Sequence, residues 1–283
     1  MTVLVFGRTG QVGSELAHHP GVTALDRRQA DLRDPQTCAS MVETSKPRGV
    51  IIAAAYTAVD RAEAEEAEAL TINAETPGAI ARAAAAKAIP LVYISTDYVF
   101  PGTGSQPWYP DSATGPLGAY GRTKLAGEQN VRAAGGSFAI LRTSWVFSAH
   151  GSNFVKTMLR LSEERDELAV VDDQIGGPTP ARSIAAACLA VLTNLEDDPA
   201  KSGIYHFSGC PEVSWHRFAC RIMELAGRNT AVRAIGSEEF PTPAKRPRNS
   251  RLDCTSLTET FGLSRPDWED GLVDVLKELE DNP

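Results

Sequence analysis

The chain has 283 residues, of which 42% are hydrophobic and 23% are charged, a composition typical of soluble globular proteins. Its formal net charge of -8 disfavours binding to nucleic acids or membrane surfaces, because phosphate groups attract basic faces. The five cysteines are widely spaced, odd in number and without a CxxC pair, which argues against a disulfide scaffold or a zinc knuckle.

The compartment expected from these features is the cytoplasm. No apolar stretch approaches the roughly 20 residues of a membrane helix. Residues 1–6 lack the charged start and the long apolar run of a signal peptide. We therefore expect a protein without membrane or nucleic-acid partners.

In the first half of the chain, apolar runs alternate with helical patterns. Strands are predicted at residues 3–6, 22–25, 50–55, 91–95 and 138–142. Helices are predicted at residues 11–18, 35–45, 62–87 (interrupted near Pro77) and 119–134. Strands and helices that alternate at this spacing form a parallel sheet covered on both faces. The predicted fold class is therefore α/β, a doubly wound parallel Rossmann sheet.

The second half is less regular and predicts a smaller lobe. A late strand is predicted at residues 204–207 and a Pro- and Arg-rich loop at 238–251. Helices are predicted at residues 153–165, 180–195, 214–227 and 267–280. We expect an NAD(P)-binding core at residues 1–148, to which parts of 153–208 return, and a discontinuous substrate-binding lobe at 209–283.

A glycine-rich turn joins the first strand to the first helix, with glycines at Gly7, Gly10 and Gly13. Such a turn lets the backbone approach a pyrophosphate, and the helix N-terminus supplies free N–H groups. The pattern is weak alone, but its place at the first strand–helix junction strengthens it. The turn predicts a dinucleotide site; the alternative is that Gly10 and Gly13 only permit close packing of helix on strand.

Residues at the end of the second strand give conflicting evidence on the choice of cofactor. Asp26 lies where a carboxylate meets the ribose hydroxyls of NAD. Arg27 and Arg28 follow at once, and guanidinium groups suit the 2′-phosphate of NADP, unless they are solvated loop charges. We expect NADH and NADPH both to serve, with a slight preference for NADPH.

Two further segments are expected near the cofactor. Asp31 and Leu32 lie where a loop covers the adenine. Ala53, Ala54 and Ala55 close the third strand, and small side chains there leave room for the cofactor backbone.

The candidate catalytic residues are Thr96, Tyr120 and Lys124. Tyr120 and Lys124 are four residues apart on a predicted helix and so share one face, where the ammonium is expected to lower the pKa of the phenol from its usual value of about 10. Lys124 can also hold the nicotinamide ribose. Thr96 follows the fourth strand at the edge where open α/β sheets bind ligands. A Tyr and a Lys at this spacing are often ordinary surface residues, but beside the glycine-rich turn the set predicts reduction of a carbonyl, with Tyr120 as proton donor and Thr96 orienting the oxygen.

Seven segments together resemble the extended short-chain dehydrogenase/reductases and, within these, the dTDP-4-dehydrorhamnose reductases. The segments are residues 7–13, 53–60, 95–102, 120–128, 142–146, 173–179 and 246–253. The most specific are Ser-Thr-Asp-Tyr-Val-Phe at 95–100 and Arg-Thr-Ser-Trp at 142–145. The resemblance spans almost the whole chain.

The resemblance implies NAD(P)H-dependent reduction, at C4, of the nucleotide sugar dTDP-4-dehydro-L-rhamnose. The residues that it places along the cofactor are Gly10, Gln11, Val12, Asp26, Asp31, Leu32, Ala53, Ala54 and Ala55. It makes Tyr120 the proton donor and Lys124 a cofactor ligand. It also implies that Thr96 and Asp97 contact the sugar and that Trp145 forms a wall of the substrate site.

Other side chains have two interpretations each. Tyr98 and Trp145 are bulky aromatics suited to hold a sugar, although Tyr98 also fits a packing role. The arginines between 246 and 251 suit a nucleotide diphosphate, but ion pairs within the protein are an equal possibility.

Some members of the resembled family dimerise through magnesium held by glutamates. Glu15 matches one such position, but Arg182 stands where another glutamate is expected. A cation there repels a divalent metal, so no metal site and no magnesium-bridged dimer are expected. A monomer and a homodimer both remain open.

Two rival functions remain open. One is a nucleotide-sugar epimerase or dehydratase on the same fold; a dehydratase needs an acidic pair beside the Tyr, and Asp97 is not followed by a Glu. The other is a non-catalytic regulatory subunit, since fold does not determine function. The intact Thr96, Tyr120 and Lys124 set argues against that subunit.

Overall fold

The computed structural model describes residues 2–281. Its strands are β1 (Val3–Phe6), β2 (Val22–Leu25), β3 (Gly49–Ile52), β4 (Leu91–Thr96), β5 (Phe138–Thr143), β6 (Val146–Phe147), β7 (Glu167–Val171), β8 (Ile175–Gly176), β9 (Thr179–Pro180), β10 (Gly203–His206), β11 (Val213–Ser214), β12 (Ala231–Ile235) and β13 (Asn249–Ser250). Its helices are α1 (Gln11–Ala17), α2 (Pro35–Ser45), α3 (Val59–Ala62), α4 (Glu66–Leu70), α5 (Thr76–Ala85), α6 (Ala119–Ala134), α7 (Phe154–Glu164), α8 (Ala181–Asp197), α9 (Trp215–Leu225), α10 (Thr255–Phe261) and α11 (Trp268–Asp281).

A six-stranded parallel sheet forms the centre of the molecule, in the order β10-β5-β4-β3-β1-β2. The strand order reverses beside β1, so β2 lies on one side of it and β3 on the other. Ligands of doubly wound sheets bind at this reversal, outside the carboxyl ends of the strands. The predicted α/β fold with a doubly wound sheet is confirmed.

Helices cover both faces of the sheet, which explains why β1 and β3 are apolar without alternation. On one face, α1 and α8 pack through side chains such as Leu16, Ile184 and Val191. On the other face, α2, α5 and α6 pack through Val42 and Ile80, among others. These layers leave the carboxyl edge of the sheet free to carry a site.

A further apolar cluster lies beside the sheet and joins β7, α7, α9 and α11. Its largest buried side chains include Phe147, Phe218 and Trp268. The strand pair β7–β12 and the short strands β8, β11 and β13 were not predicted. Two-residue strands carry no periodic pattern, and their partners are distant in sequence: β13 lies in the predicted loop 238–251 and pairs with β8.

The predicted helix at 62–87 is several elements. It consists of α3, α4, a π-helical segment (Thr71–Glu75) and α5. The predicted interruption near Pro77 is present, because the π-helical segment ends at Glu75 and α5 begins at Thr76, with Pro77 in its first turn. The π-helical segment carries the buried Asn73, whose side chain accepts a hydrogen bond from Tyr56 N and donates one to Thr123 Oγ1.

Among residues 2–281, no helix combines the length and the apolar character that a membrane crossing requires.

Candidate active site

The glycine-rich turn between β1 and α1 is shaped by close backbone contacts. Gly7 has a φ of +112°, and a Cβ there would lie 2.7 Å from Ala54 N. A Cβ on Gly13 would lie 1.8 Å from Gly7 O, so α1 packs directly against the turn. A Cβ on Gly10 would meet only Gly7 O, at an ordinary 3.5 Å. Close packing therefore accounts for Gly7 and Gly13, whereas Gly10 faces open space.

The first turn of α1 has no side-chain cap, so its N–H groups are available to a phosphate. Val12 follows in that turn and is largely buried against the sheet. The side chain of Gln11 is engaged elsewhere: Nε2 donates to Val146 O, and Oε1 accepts hydrogen bonds from Ser148 and Asn153. A contact between Gln11 and a cofactor would therefore use its main chain.

The end of β2 carries charges of both signs. The carboxylate of Asp26 accepts hydrogen bonds from Arg28 and Gln29, which outweigh the opposing effect of desolvation and hold its pKa below the usual value. Arg27 and Arg28 have side chains that are 64% and 92% exposed. Both groups considered in the sequence analysis are therefore present at the surface, with Arg27 paired to Asp31 and Arg28 paired to Asp26.

The other predicted cofactor residues differ in accessibility. Asp31 is half-buried and pairs with Arg27 and Arg33. Leu32 is buried in the core beneath α2, and its carbonyl accepts a buried hydrogen bond from Thr76 Oγ1. Ala53, Ala54 and Ala55 are partly exposed at the carboxyl end of β3.

The three candidate catalytic residues come together where the carboxyl end of β4 meets the N-terminal part of α6. Thr96 ends β4 next to Tyr120, which lies in the first turn of α6. One turn later, Lys124 is 1% exposed; its Nζ donates to Ile94 O at 2.7 Å and lies 3.9 Å from the centre of the Tyr93 ring. The set therefore occupies one face of α6 against β4.

The prediction that Lys124 lowers the pKa of Tyr120 is wrong. Burial raises the pKa of Tyr120 to about 12, partly opposed by the hydrogen bond with Thr96. Burial also lowers the pKa of Lys124 to about 7, and the carboxylate of Glu128 acts in the opposite direction. Desolvation outweighs charge attraction because both groups are enclosed. Tyr120 consequently keeps its proton at neutral pH, as a proton donor must.

Asp97 and Tyr98 extend the site beyond Thr96. Asp97 is 3% exposed, and its Oδ2 has no hydrogen-bond partner among the described residues. Burial raises the pKa of Asp97 to about 6, and Oδ1 accepts a hydrogen bond from Thr96. Tyr98 is partly exposed and meets the Tyr120 ring edge to face at 5.5 Å. An unpartnered carboxylate oxygen beside the Thr–Tyr pair is suited to accept a hydrogen bond from a sugar hydroxyl.

Trp145 is held in place by residues that the sequence analysis missed. It has a φ of +50°, and its ring stacks on Trp215 with centres 3.7 Å apart. Gly176 lies under the ring, where a Cβ would come within 2.8 Å of Trp145 Cε2. Trp215 follows Trp145 by 70 positions, so no local pattern signalled the stack.

The arginines of residues 246–251 make contacts within the protein. Arg246 pairs with Asp60 across the chain, Nη2 to Oδ2 at 2.7 Å, and Ala244 N also donates to this carboxylate. Arg248 pairs with Glu238. Of the two interpretations left open by the sequence, the structure contains the ion pairs. The Asp60–Arg246 pair ties the C-terminal half to α3, the short helix that follows β3.

A buried polar network under the site was also missed. The carboxylate of Glu128, on α6, binds Ser95 and the guanidinium of Arg142. The signal available in the sequence was the position of Glu128, four residues after Lys124 and eight after Tyr120 on the same helix.

The group around Arg182 does not fit a magnesium ion. Ligand atoms of Glu15, His150 and Glu278 lie within 4.8 Å of one another. The Arg182 guanidinium, however, lies 3.5 Å from Glu15 Oε2 and 3.3 Å from Glu278 Oε2. It already supplies the positive charge that these carboxylates require, and it would repel a divalent cation.

Comparison with known proteins gives consistent matches. Residues 1–281 match the family described as the RmlD substrate binding domain. A dTDP-4-dehydrorhamnose reductase of Sinorhizobium fredii is 42% identical over 280 residues, with 95% of each chain covered. The enzyme of that name from Escherichia coli K12 is 40% identical over 293 residues, covering 99% of this chain and 98% of the other.

Solved structures agree. A dTDP-4-dehydrorhamnose reductase of Clostridium acetobutylicum superposes with a TM-score of 0.91 at 36% identity, covering 99% of this chain and 100% of the other. One from Bacillus anthracis, in complex with NADP, has a TM-score of 0.91 at 35% identity, covering 98% and 100%. A dTDP-glucose 4,6-dehydratase from Streptomyces venezuelae, at 16% identity, shares the fold alone.

Proposed function

The chain belongs to the RmlD substrate binding domain family, and from this membership we propose that it reduces the C4 keto group of dTDP-4-dehydro-L-rhamnose, giving dTDP-L-rhamnose, with a nicotinamide cofactor. The observation that carries the proposal is the meeting of Thr96, Tyr120 and Lys124 beside the glycine-rich turn, at the carboxyl edge of the sheet. The names of the curated relatives support it over the rival functions.

The residues present fit a dinucleotide. The uncapped first turn of α1 would hold the pyrophosphate, Gly10 leaves space for it, and the partly exposed alanines after β3 border its path. Asp26 and its neighbouring arginines would meet the adenosine end, and Lys124 the nicotinamide ribose. When bound, the cofactor supplies a hydride to the carbonyl carbon.

The protein's own groups would manage the oxygen of the substrate. Tyr120 donates its phenolic proton to the carbonyl oxygen as negative charge develops there. Thr96 hydrogen-bonds that oxygen and keeps it against Tyr120. Asp97 accepts a hydrogen bond from a sugar hydroxyl through its unpartnered Oδ2, and the Trp145–Trp215 stack offers a flat apolar wall to the sugar.

The rival functions are less well supported. An eliminating dehydratase needs a second acid next to Asp97, and Tyr98 occupies that position. A regulatory subunit has no need of a buried Lys124 against Tyr93 or of Thr96 next to Tyr120. We also propose a cytoplasmic enzyme, an assignment that the free cysteines support.

The direct test is loss of NAD(P)H absorbance on mixing the protein with dTDP-4-dehydro-L-rhamnose, with NADH and NADPH in parallel. Oxidation that requires both protein and sugar is the expected result. Because Arg182 occupies the acidic cluster, we expect the same rate in EDTA and in added magnesium, and a monomer or homodimer that EDTA does not change. A folded sample that binds the cofactor but oxidises none would contradict the proposal.

Replacing Arg27 and Arg28 together with Ala is expected to raise the KM for NADPH about tenfold, while the KM for NADH stays within about twofold. Charge-assisted hydrogen bonds to a phosphate contribute roughly 1.5 kcal/mol or more, and 1.4 kcal/mol is about a tenfold change. The variant also removes the arginine partner of the Asp26 carboxylate. That carboxylate can then accept hydrogen bonds from the ribose hydroxyls of NADH. Steady-state kinetics with each cofactor measure this.

The matched control is Arg160→Ala on α7, which removes an arginine whose side chain is 60% exposed, close to the 64% of Arg27. It should change neither KM. Equal loss with NADH and NADPH in the double variant would refute a 2′-phosphate role.

A further inference from the structure

Glu128 lies on the face of α6 that carries the catalytic residues, one turn beyond Lys124 and two beyond Tyr120. Its side chain is almost fully buried. Oε1 accepts hydrogen bonds from Ser95 Oγ at 2.6 Å and Arg142 Nε at 2.9 Å, and Oε2 accepts one from Arg142 Nη2 at 2.7 Å. This carboxylate therefore binds α6 to two strands of the sheet.

The guanidinium of Arg142, which pairs with Glu128, also contacts other segments of the chain. Arg142 lies on β5 directly opposite Ser95 of β4, and its Nη1 donates to Pro110 O at 3.0 Å. It also stacks 4.9 Å from the centre of the Phe100 ring. The pair thus joins β4, β5, α6 and the segment between β4 and α6 at one point.

That point lies next to the reacting groups. Ser95 immediately precedes Thr96, and the Ser95–Glu128 bond links the end of β4 to the helix that presents Tyr120. A movement of α6 along β4 would have to break this bond before it could separate Tyr120 from Thr96. Among residues 2–281, Ser95 makes no other side-chain hydrogen bond to α6.

Stability does not by itself explain a charged pair at this position. Two charges taken out of water lose hydration that their attraction repays only with good geometry, and apolar residues of similar volume often serve equally well. Two parallel N–H···O bonds, in contrast, fix direction as well as distance. Geometry is therefore what this pair provides that an apolar contact would not.

We propose that Glu128 is a positioning residue for the reduction: it fixes the separation of Tyr120 and Thr96 and supplies the negative charge that faces Lys124. The inference rests on the proposed function. It requires no contact between Glu128 and the substrate or the cofactor.

The groups around Lys124 support the proposal that Glu128 supplies its counter-charge. From β4 it meets Ile94 O and the Tyr93 ring; on α6 its neighbours along the shared face are Tyr120 and Glu128. Burial lowers the pKa of Lys124 to about 7, and Glu128 raises it. Lys124 is charged below its pKa and loses the charge as the pH rises through it. Removing the Glu128 charge should therefore move the alkaline limb of the pH profile to lower pH.

The test compares Ser95→Ala and Glu128→Gln with Glu66→Gln. The control pair, Arg122–Glu66, has the same two-bond geometry, 2.9 Å and 2.8 Å, and holds the same helix on its exposed side. We expect Glu128→Gln to lower kcat roughly tenfold to a hundredfold, as misplacement of reacting groups does, with the alkaline limb shifted downward. Ser95→Ala should lower kcat with an unchanged KM for NADPH. Glu66→Gln should match the wild type in kcat and pH profile.

Folding is measured alongside, because Glu128→Gln leaves Arg142 buried without its counter-charge. If Glu128→Gln does not fold, the kcat of Ser95→Ala tests the proposal, since this variant keeps the ion pair between Glu128 and Arg142. Wild-type kcat in folded Ser95→Ala, with or without a lower Tm, would overturn the inference. An inactive wild type would instead defeat the proposed function, so the two failures are distinguishable.

Discussion

Replacing Tyr120 with Phe is expected to lower turnover by a factor of about a hundred or more, the usual contribution of one general acid. The substitution removes only the phenolic oxygen. The ring can keep its edge-to-face contact with Tyr98, and Thr96 keeps its bonds to Asp97 and Tyr98 N. Because the pKa of Tyr120 is about 12, the wild-type phenol carries its proton throughout the neutral range. NADPH binding should therefore be unchanged while proton donation is lost.

Turnover by NADPH oxidation and NADPH affinity by fluorescence titration are measured on the same sample. Tyr109→Phe is the matched control, because Tyr109 is 55% exposed and outside the site. It should behave as wild type. Unchanged turnover in Tyr120→Phe would remove the role assigned to this residue, and lost NADPH affinity would show that the phenol binds the cofactor instead.

Replacing Gly13 with Ala is expected to destabilise the protein by about 3 kcal/mol, the upper end of ordinary overpacking costs. The added Cβ would lie 1.8 Å from Gly7 O, and a backbone carbonyl cannot rotate aside as a side chain does. The helix α1 must move away from β1 instead, which displaces the N–H groups offered to the pyrophosphate. We expect Tm to fall by roughly 6–10 °C and the Kd for NADPH to rise at least about tenfold, a loss of 1.4 kcal/mol.

The variant Gly10→Ala separates the loss of stability from the loss of cofactor affinity. Gly10 has an extended backbone (φ -80°, ψ 166°) that any residue adopts, and its Cβ would make no close contact within the protein. Its Tm should equal that of the wild type or exceed it by roughly 1–4 °C, because Ala restricts the unfolded chain, so any loss appears in cofactor affinity alone. Thermal unfolding and cofactor titration distinguish the variants. Wild-type Tm and Kd in Gly13→Ala would show that α1 can shift without cost.

Burial has opposite consequences for the two candidate catalytic side chains on α6. It keeps Tyr120 protonated and so favours proton donation, but it also disfavours the charge on Lys124. A counter-charge close to Lys124 offsets part of that cost, and Glu128 supplies one without direct access to solvent.

The sequence by itself determined the α/β fold, the strand–turn–helix at Gly7–Gly13 and the candidate set Thr96, Tyr120 and Lys124. These inferences depend on patterns of short range in sequence. They are apolar runs of strand length, glycines at a strand–helix junction, and side chains four residues apart on one face of a helix. Such patterns lie within one or two elements, so they are visible before the chain is folded.

Only the tertiary structure decided which groups meet and how strongly water is excluded from them. The Trp145–Trp215 stack, the Asp60–Arg246 pair and the bond of Ser95 to Glu128 join residues that are 33 to 186 positions apart. The pKa of Tyr120 rises although a lysine follows it by one turn, because desolvation depends on everything packed around the phenol. Local spacing sets which side chains can be neighbours, whereas partner choice and burial are properties of the whole packed chain.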